Sequence, residues 1–199
     1  KIYNGGIWDT DARSPLSQPG IDVKEGEFVL AVNGVPIDTT KDIWAAFQGL
    51  ADKTITLTLG KTASMDADTR DVLVKPIASD VALRYRAWIE KNRQYVFEKS
   101  KGRIGYIYVP NTGQDGQSDL VRQFTGQRAM DGLIIDERWN GGGQIPTRFI
   151  ELLNRPNINY WARKDGKDWP WPPDAHFGPK VMLANGLAGS GGDAFPGYF

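Results

Sequence analysis

Two glycine-rich loops, each placed between a short apolar run and an apolar-periodic stretch, constrain the fold of this chain most strongly. The first run covers residues 132–136 and precedes the loop 138–143. The second covers residues 180–184 and leads into Ser190, which has glycines on both sides. Near-continuous apolar runs are typical of buried parallel strands, and strands that alternate with helices build a layered α/β fold. The sequence therefore predicts a parallel sheet with both loops at the carboxyl ends of its strands, where active sites are built.

The rest of the chain predicts two units. Residues 78–199 continue the α/β pattern, and we expect all three of their apolar strands to be buried. Residues 1–77 are β-rich: an apolar run at 28–32 ends at Asn33-Gly34, the strongest short hairpin signal, and residues 54–59 alternate as a half-buried strand does. Between these strands we expect a helix through residues 43–50, capped by Thr39 or Thr40.

Composition excludes several classes of function. The chain has 24 basic and 24 acidic residues, so nothing in its charge predicts a nucleic-acid partner. It has no cysteine and one histidine, which excludes thiol catalysis and any thiolate or multi-histidine metal site in the chain. We expect no cofactor. No apolar run approaches the roughly 20 residues that span a bilayer, so no membrane partner is predicted, and a cytoplasmic or a periplasmic location stays open.

The segment around Ser190 predicts an activated nucleophile. A serine hydroxyl reacts only when it is exposed and has a base nearby, and small neighbours allow the sharp strand-to-helix turn that exposes it. If a helix begins just after Ser190, its free N–H groups point towards a substrate carbonyl, and Gly191 supplies one of them. Taken alone, the pattern also fits an ordinary glycine-serine loop.

The loop at 136–143 adds a second element. Its three glycines, 141–143, allow positive φ and close backbone approach, so the loop suits an oxyanion or a phosphate. No Lys-Ser/Thr pair follows it and the dinucleotide spacing is absent, which argues against the nucleotide-binding loops. The loop is better suited to supplying a second oxyanion donor, at Gly143 or at its neighbour Gly142, than to binding a nucleotide.

The first unit resembles a PDZ domain of the protease-associated type. The resemblance rests on Ser14-Pro15-Leu16, on Gly20-Ile21 followed by Gly26-Glu27, and on the apolar strand that ends in Asn33-Gly34. Glu27 occupies a position where aspartate is usual, and the carboxylate-binding loop is not recognisable. Whether this unit binds peptide stays open.

The whole chain resembles the tricorn protease family of S41-type serine peptidases. The resemblance is carried by Asp136-x-Arg138-x-Asn140-x-Gly-Gly, the strand that opens with Gly178-Pro-Lys-Val, and the turn Gly189-Ser-Gly-Gly-Asp-x-Phe195. It implies a PDZ-like domain at 1–77 followed, at 78–199, by part of an α/β catalytic domain of the ClpP/crotonase-like kind. The chain is then expected to begin and end within a longer protein.

The resemblance also implies the chemistry. Ser190 is the nucleophile, Gly191 and Gly143 are oxyanion donors with Gly142 as the alternative, and the substrate is a peptide. The family's base is a Ser-His pair before the PDZ unit and its acidic residue follows the catalytic serine at a distance, so both fall outside this chain. We expect the 199 residues alone to be inactive, and the full-length protein to be a homo-oligomer.

For several other polar and aromatic residues the sequence predicts roles outside the catalytic chemistry or leaves the role open. His176 is expected to be a structural loop residue, and Asp193 to lie in the first turn of the helix after Ser190. Asp136, Glu137 and Arg138 are expected to form a local ion-pair network. Three tryptophans either line a substrate cleft or pack: Trp161, Trp169 and Trp171.

Two alternatives to a peptidase remain. One is a non-catalytic, PDZ-type peptide-binding adaptor with a degenerate α/β unit. The other is an acyl-thioester enzyme of the crotonase type, which shares paired backbone oxyanion donors but for which no acyl-CoA site is visible. If the chain is cut soon after Ser190, three aromatic side chains are expected to be exposed or covered by a partner: Phe195, Tyr198 and Phe199.

Overall fold

The computed structural model describes residues 1–6 and 12–199. Contacts divide the chain into two compact units, Lys1–Trp88 and Ile89–Phe199. The division falls within one helix, α1, which spans Val81–Lys99. The domain boundary after residue 77 stays a prediction.

The first unit is built on a four-stranded antiparallel sheet. Its strands are β1 (Phe28–Val32), β2 (Val35–Pro36), β3 (Ile55–Gly60) and β4 (Arg70–Val74), in the order β2-β1-β3-β4. Asn33 and Gly34 both have positive φ, 49° and 77°, which is the geometry of the tight hairpin that their sequence predicts. The alternating apolar residues of β3 enter the core of this unit, as the pattern indicates.

The helix expected at 43–50 is shorter than predicted and has a different cap. It is a 3₁₀ helix, Ile43–Phe47, and the side chain of Asp42 caps it by accepting from the Trp44 N–H at 2.9 Å. Thr40 does not cap this helix, and its N–H and hydroxyl instead both donate to the Asp38 carboxylate. The helix ends before Gly49, whose φ of +72° stops helical continuation.

The second unit alternates strands and helices. After α1 its elements are β5 (Ile104–Tyr108), α2 (Gln114–Gln127), β6 (Gly132–Asp136), α3 (Pro146–Leu153), β7 (Asn159–Trp161), β8 (Trp169–Trp171), β9 (Lys180–Leu183) and α4 (Gly191–Tyr198). β5, β6 and β9 form a parallel sheet in that order, and β7 pairs with β8 alone. The predicted parallel sheet is therefore confirmed, and both glycine-rich loops follow the carboxyl ends of their strands.

One strand differs from its prediction. β9 was expected to be buried, but Val181 and Leu183 are 56% and 37% exposed. Among the described residues β9 pairs only with β6, so it has one covered edge and one covered face. The apolar run alone does not distinguish this half-buried strand from a central one.

The expectation that Phe195 is exposed or covered by a partner is wrong, because residues of the same chain bury it. Its side chain is fully buried on the helical side of the sheet, with its ring 5.6 Å from that of Phe149 in an edge-to-face arrangement. Phe199 packs against the same core and only Tyr198, at 55% exposure, remains open. Helix α4, which carries the serine turn at its amino end, is thus anchored by its own aromatic side chain.

This anchoring predicts a large stability difference between two neighbouring aromatic residues. Phe195→Ala should lower the free energy of unfolding by about 3–5 kcal/mol, because it removes a fully buried ring. Tyr198→Ala, on the exposed side of the same helix, should change it by less than about 1 kcal/mol. Urea denaturation of the two variants measures both values, and equal losses would show that α4 is not anchored through Phe195.

Candidate active site

Ser190 lies at a sharp turn between β9 and α4. Its φ of 55° and ψ of −125° are unfavourable for a residue with a side chain. The residue is exposed, whereas Gly191 and Gly192 directly after it are buried. The first residue of α4 is Gly191, so the predicted strand, turn and helix around the serine are confirmed.

The 138–143 loop packs directly against this turn. A Cβ atom built on Gly142 would lie 2.6 Å from the Gly189 carbonyl oxygen and 2.8 Å from the Ser190 Cβ. A Cβ built on Gly191 would lie 2.1 Å from the Gly143 carbonyl oxygen. Only residues without side chains allow the two loops to approach this closely, so the structure brings together all four residues that the sequence singled out.

The backbone N–H groups of these glycines differ in their partners. The Gly142 N–H donates to the Asn140 side-chain oxygen at 2.8 Å. The N–H groups of Gly143 and Gly191 have no hydrogen-bond partner among the described residues. A Cβ on Gly191 would come 3.0 Å from the Gly143 nitrogen, so the two unpaired donors belong to adjacent backbone segments. The site therefore offers two neighbouring N–H donors beside an exposed hydroxyl.

Asn140 holds the two loops together. Its buried side chain donates to the Val109 carbonyl at 3.2 Å and accepts from Gly142, and its backbone carbonyl accepts from the Gly189 N–H at 3.2 Å. A Cβ on Gly192 would come within 2.8 Å of the Asn140 side chain. The motif that contains Asn140 does not reveal this role, because two of its partners, Val109 and Gly189, lie on segments distant in sequence.

The predicted ion-pair network is present in part. Asp136 is fully buried and receives two hydrogen bonds from the Arg138 guanidinium, at 2.6 and 2.9 Å, and one from the Tyr106 hydroxyl at 2.6 Å. These interactions raise the pKa of Arg138, and burial together with the Asp136 carboxylate raises the pKa of Tyr106. The network orders the start of the glycine loop on one face of β6.

Glu137 does not belong to this network, contrary to expectation. It is fully buried and neither carboxyl oxygen has a hydrogen-bond partner among the described residues. Burial, with smaller contributions from Asp136 and Asp193, raises the pKa of Glu137 to about 7. Because side chains alternate along a strand, Glu137 lies on the opposite face from Asp136, the face that packs against α3 and α4.

His176 lies at the other end of the sheet from Ser190. Its Nε2 is 2.9 Å from the Met130 carbonyl oxygen, and it packs on Gly178, which contacts Asp131 at the amino end of β6. Burial lowers the pKa of His176. Since Ser190 follows the carboxyl end of the parallel strand β9, the structure does not bring this histidine to the serine.

The remaining residues of interest fall outside the immediate site. Asp193 lies exposed in the first turn of α4, as predicted. The three tryptophans are partly exposed on β7 and β8 and pack on one another, with the ring of Trp171 5.7 Å from Trp161 and 5.8 Å from Trp169. Within residues 1–6 and 12–199, no helix is long and apolar enough to cross a membrane, and no group of acidic and histidine side chains could hold a metal.

Comparisons with known proteins identify relatives of this chain. Residues 1–79 match the family model for the tricorn protease PDZ domain. Over 98% of its length the chain is 34% identical to a tricorn protease from Thermoplasma volcanium, and it covers 18% of that protein. Over 93% of its length it is 36% identical to tricorn protease homolog 1 from Streptomyces coelicolor, and it covers 17% of that protein. A crystal structure of the tricorn protease superposes with a TM-score of 0.84 at 33% identity, over 98% of this chain and 19% of that one. The chain thus spans less than a fifth of the length of these relatives.

The burial of Glu137 predicts that stability depends on pH. Its pKa is about 7 in the folded chain and near 4.5 when the carboxyl is in water. The folded state therefore binds more protons than the unfolded state between these values, and stability falls as pH rises through this range. Glu137→Gln should remove this loss. Relative to wild type, the free energy of unfolding of the variant should therefore rise by up to about 3 kcal/mol between pH 4.5 and 8.

Urea denaturation across this pH range tests the prediction. The matched control is Glu151→Gln, which makes the same change at an exposed position on α3 and should not alter the pH dependence. A Glu137→Gln variant with the same pH dependence as wild type would show that the carboxyl finds a partner in solution.

Proposed function

The chain belongs with the tricorn proteases, to which it is similar along its whole length, and from that premise we propose that its full-length protein hydrolyses peptide bonds through an acyl-enzyme on Ser190. One observation carries the proposal: an exposed serine at a strained turn beside two unpaired N–H groups. Such an arrangement suits attack on a carbonyl that becomes an oxyanion. We propose further that this protein is an S41-type serine peptidase.

In this mechanism the Ser190 Oγ attacks the carbonyl carbon of the scissile peptide bond. The N–H groups of Gly143 and Gly191 donate to the oxygen that becomes negatively charged in the tetrahedral intermediate. A base takes the proton of the Ser190 hydroxyl during the attack and gives it to the amine as the C–N bond breaks, and water then releases the acid product from Ser190 by the same route. Gly142 shapes the loop, because its N–H is already bonded to Asn140.

The serine needs a base, and His176 does not supply it. His176 is buried at the opposite end of the sheet and bonded to the Met130 carbonyl. We propose that the base and its acidic support come from parts of the full-length protein outside residues 1–199, as the family resemblance implies. The second unit is then part of a ClpP/crotonase-like catalytic domain, 78–199, that follows a PDZ-like domain at 1–77, and the full-length protein is a homo-oligomer.

Covalent labelling tests the proposed nucleophile. A fluorophosphonate should label the full-length protein at Ser190, Ser190→Ala should abolish both labelling and peptide hydrolysis, and mass spectrometry locates the adduct. The 199-residue chain should hydrolyse peptides at most weakly, since loss of the other triad members leaves only ~10³–10⁴-fold catalysis over water. Brisk hydrolysis by the isolated chain would show that the base lies within it.

Substitution of two glycines in one loop tests the oxyanion donors. Gly143 has a φ of +151°, and a Cβ there would lie 2.3 Å from the backbone of both Thr112 and Gly113. Gly143→Ala should therefore displace its N–H and lower kcat by about 10²–10³-fold, the usual effect of losing one donor. Gly141→Ala is the control, because a Cβ there meets nothing closer than 3.9 Å.

Both variants should retain the circular dichroism spectrum of the wild type. If Gly143→Ala keeps full activity in a folded protein, the oxyanion is bound elsewhere. If Gly141→Ala loses as much activity as Gly143→Ala, the loop as a whole is sensitive and the specific assignment to Gly143 fails.

A specific observation supports the alternative function, a peptide-binding adaptor. The first unit contains a cavity of about 770 Å³, lined largely by apolar side chains that include Val29, Trp44 and Phe47. A cavity of this size accepts part of a peptide. Peptide binding that persists in a protein whose Ser190 resists labelling would favour the adaptor over the peptidase.

A further inference from the structure

Thr112 contacts both glycines whose N–H groups are unpaired. It lies in the loop between β5 and α2. A Cβ built on Gly143 would come 2.3 Å from the Thr112 carbonyl carbon, and one built on Gly191 would come 2.3 Å from the Thr112 Oγ1. The Thr112 side chain therefore lies at the junction of the glycine loop and the serine turn.

The backbone of Thr112 holds the glycine loop on both sides of Gly143. Its N–H donates to the Gly142 carbonyl at 2.9 Å, and its carbonyl accepts from the Ile145 N–H at 3.1 Å. The Gly142 carbonyl and the Gly143 N–H belong to one planar trans peptide unit, in which they point in opposite directions. The hydrogen bond from Thr112 thus sets the direction of the Gly143 N–H.

The hydroxyl of Thr112 has no structural role that its surroundings explain. Thr112 is fully buried, and its Oγ1 has no hydrogen-bond partner among the described residues. Burying a hydroxyl without a partner is costly, and a valine of the same shape would avoid the cost. The Gly143 carbonyl oxygen also accepts no hydrogen bond from the described residues. It lies 2.1 Å from the position that a Cβ on Gly191 would take, and the Thr112 Oγ1 lies 2.3 Å from the same position. An unpaired donor and an unpaired acceptor therefore both border Gly191, although they are not hydrogen-bonded to each other in this structure.

We propose that Thr112 is a positioning residue of the oxyanion site: in the full-length protein its hydroxyl, which has no partner among the described residues, turns to donate to the Gly143 carbonyl oxygen and fixes the spacing between the Gly143 and Gly191 N–H groups. The inference rests on the proposed function, because this spacing matters only if an oxyanion forms beside Ser190. The side chain is closed to solvent, so it acts through Gly143 and not on the substrate. Fixed donors favour the transition state over the bound substrate, because they are aimed at the position where charge develops.

A pair of near-isosteric substitutions in the full-length protein isolates the hydroxyl. Thr112→Val keeps the shape and removes the donor, whereas Thr112→Ser keeps the donor. We expect kcat for peptide hydrolysis to fall about tenfold in Thr112→Val with KM within about twofold of wild type, as the loss of one hydrogen bond made for the transition state predicts. Thr112→Ser should keep kcat within about twofold of wild type.

Inhibitor binding and stability distinguish positioning from a merely structural role. A peptide aldehyde forms a hemiacetal on Ser190 whose oxygen occupies the oxyanion position, so its affinity should fall about tenfold in Thr112→Val. The affinity of the corresponding non-reactive peptide amide should not change, and the thermal midpoint should be equal to or above that of wild type.

The inference is overturned if Thr112→Val has the wild-type kcat, or if Thr112→Ser is as slow as Thr112→Val. If the valine variant does not fold, Thr112→Ala and Thr112→Ser provide the same comparison, and equal kcat values in these two overturn the inference. Failure of the wild type to react with a fluorophosphonate at Ser190 overturns the proposed function as well. Wild-type labelling without a difference between valine and serine overturns the role of Thr112 alone.

Discussion

The contact between two glycine-rich loops is the constraint on which the rest of the site depends. The loop after β6 and the turn after β9 approach so closely that a Cβ on Gly142 or Gly191 would overlap the facing backbone or side chain. Asn140 then links the loops through both its backbone carbonyl and its side-chain amide. A second asparagine, Asn185, accepts from the Trp139 N–H at 3.1 Å and adds a link further from Ser190. The parallel register of β6 and β9 brings the loop origins to one edge of the sheet, and the absence of side chains allows them to close.

The buried polar groups at this edge fall into two kinds. Asp136 is compensated in full, because two guanidinium nitrogens, one phenol and one backbone N–H donate to it. Glu137, the next residue, has no donor among the described residues and is fully buried on the face towards α4. An uncompensated charge there would be costly, so the acid stays protonated over the lower part of the pH range. Strand alternation thus sends these adjacent carboxyls to environments that differ in hydrogen-bond donors.

Much of the fold follows from local sequence patterns. The hairpin at Asn33-Gly34, the alternation of β3 and the two strand–loop–helix segments are each determined by short-range preferences, and the structure has all of them. Two errors have different causes. Thr40 donates to its near neighbour Asp38 and does not cap the 3₁₀ helix, which is a competition between local hydrogen bonds. The burial of Phe195 depends on Phe149, which is distant in sequence and lies on another helix. In the site, the pattern located Ser190 and the glycines, but Thr112 and Asn140 acquire their roles from loops that meet only after folding.

The strain at Ser190 shows why these distant partners matter. A serine at φ 55° and ψ −125° does not hold that conformation by itself, so neighbouring structure must impose it. On its amino side the Gly189 N–H is bonded to Asn140, and on its carboxyl side the Ser190 carbonyl accepts from the N–H groups of Asp193 and Ala194 in the first turn of α4. The helix is fixed in turn by Phe195, which is buried against the helical face of the sheet. The hydrogen bonds act on the backbone and the buried ring acts on the helix, and together they leave the serine side chain exposed and unbonded among the described residues. A turn restrained from both ends keeps the Ser190 backbone in one place relative to the two free N–H groups, which is part of the preorganisation that acyl transfer requires.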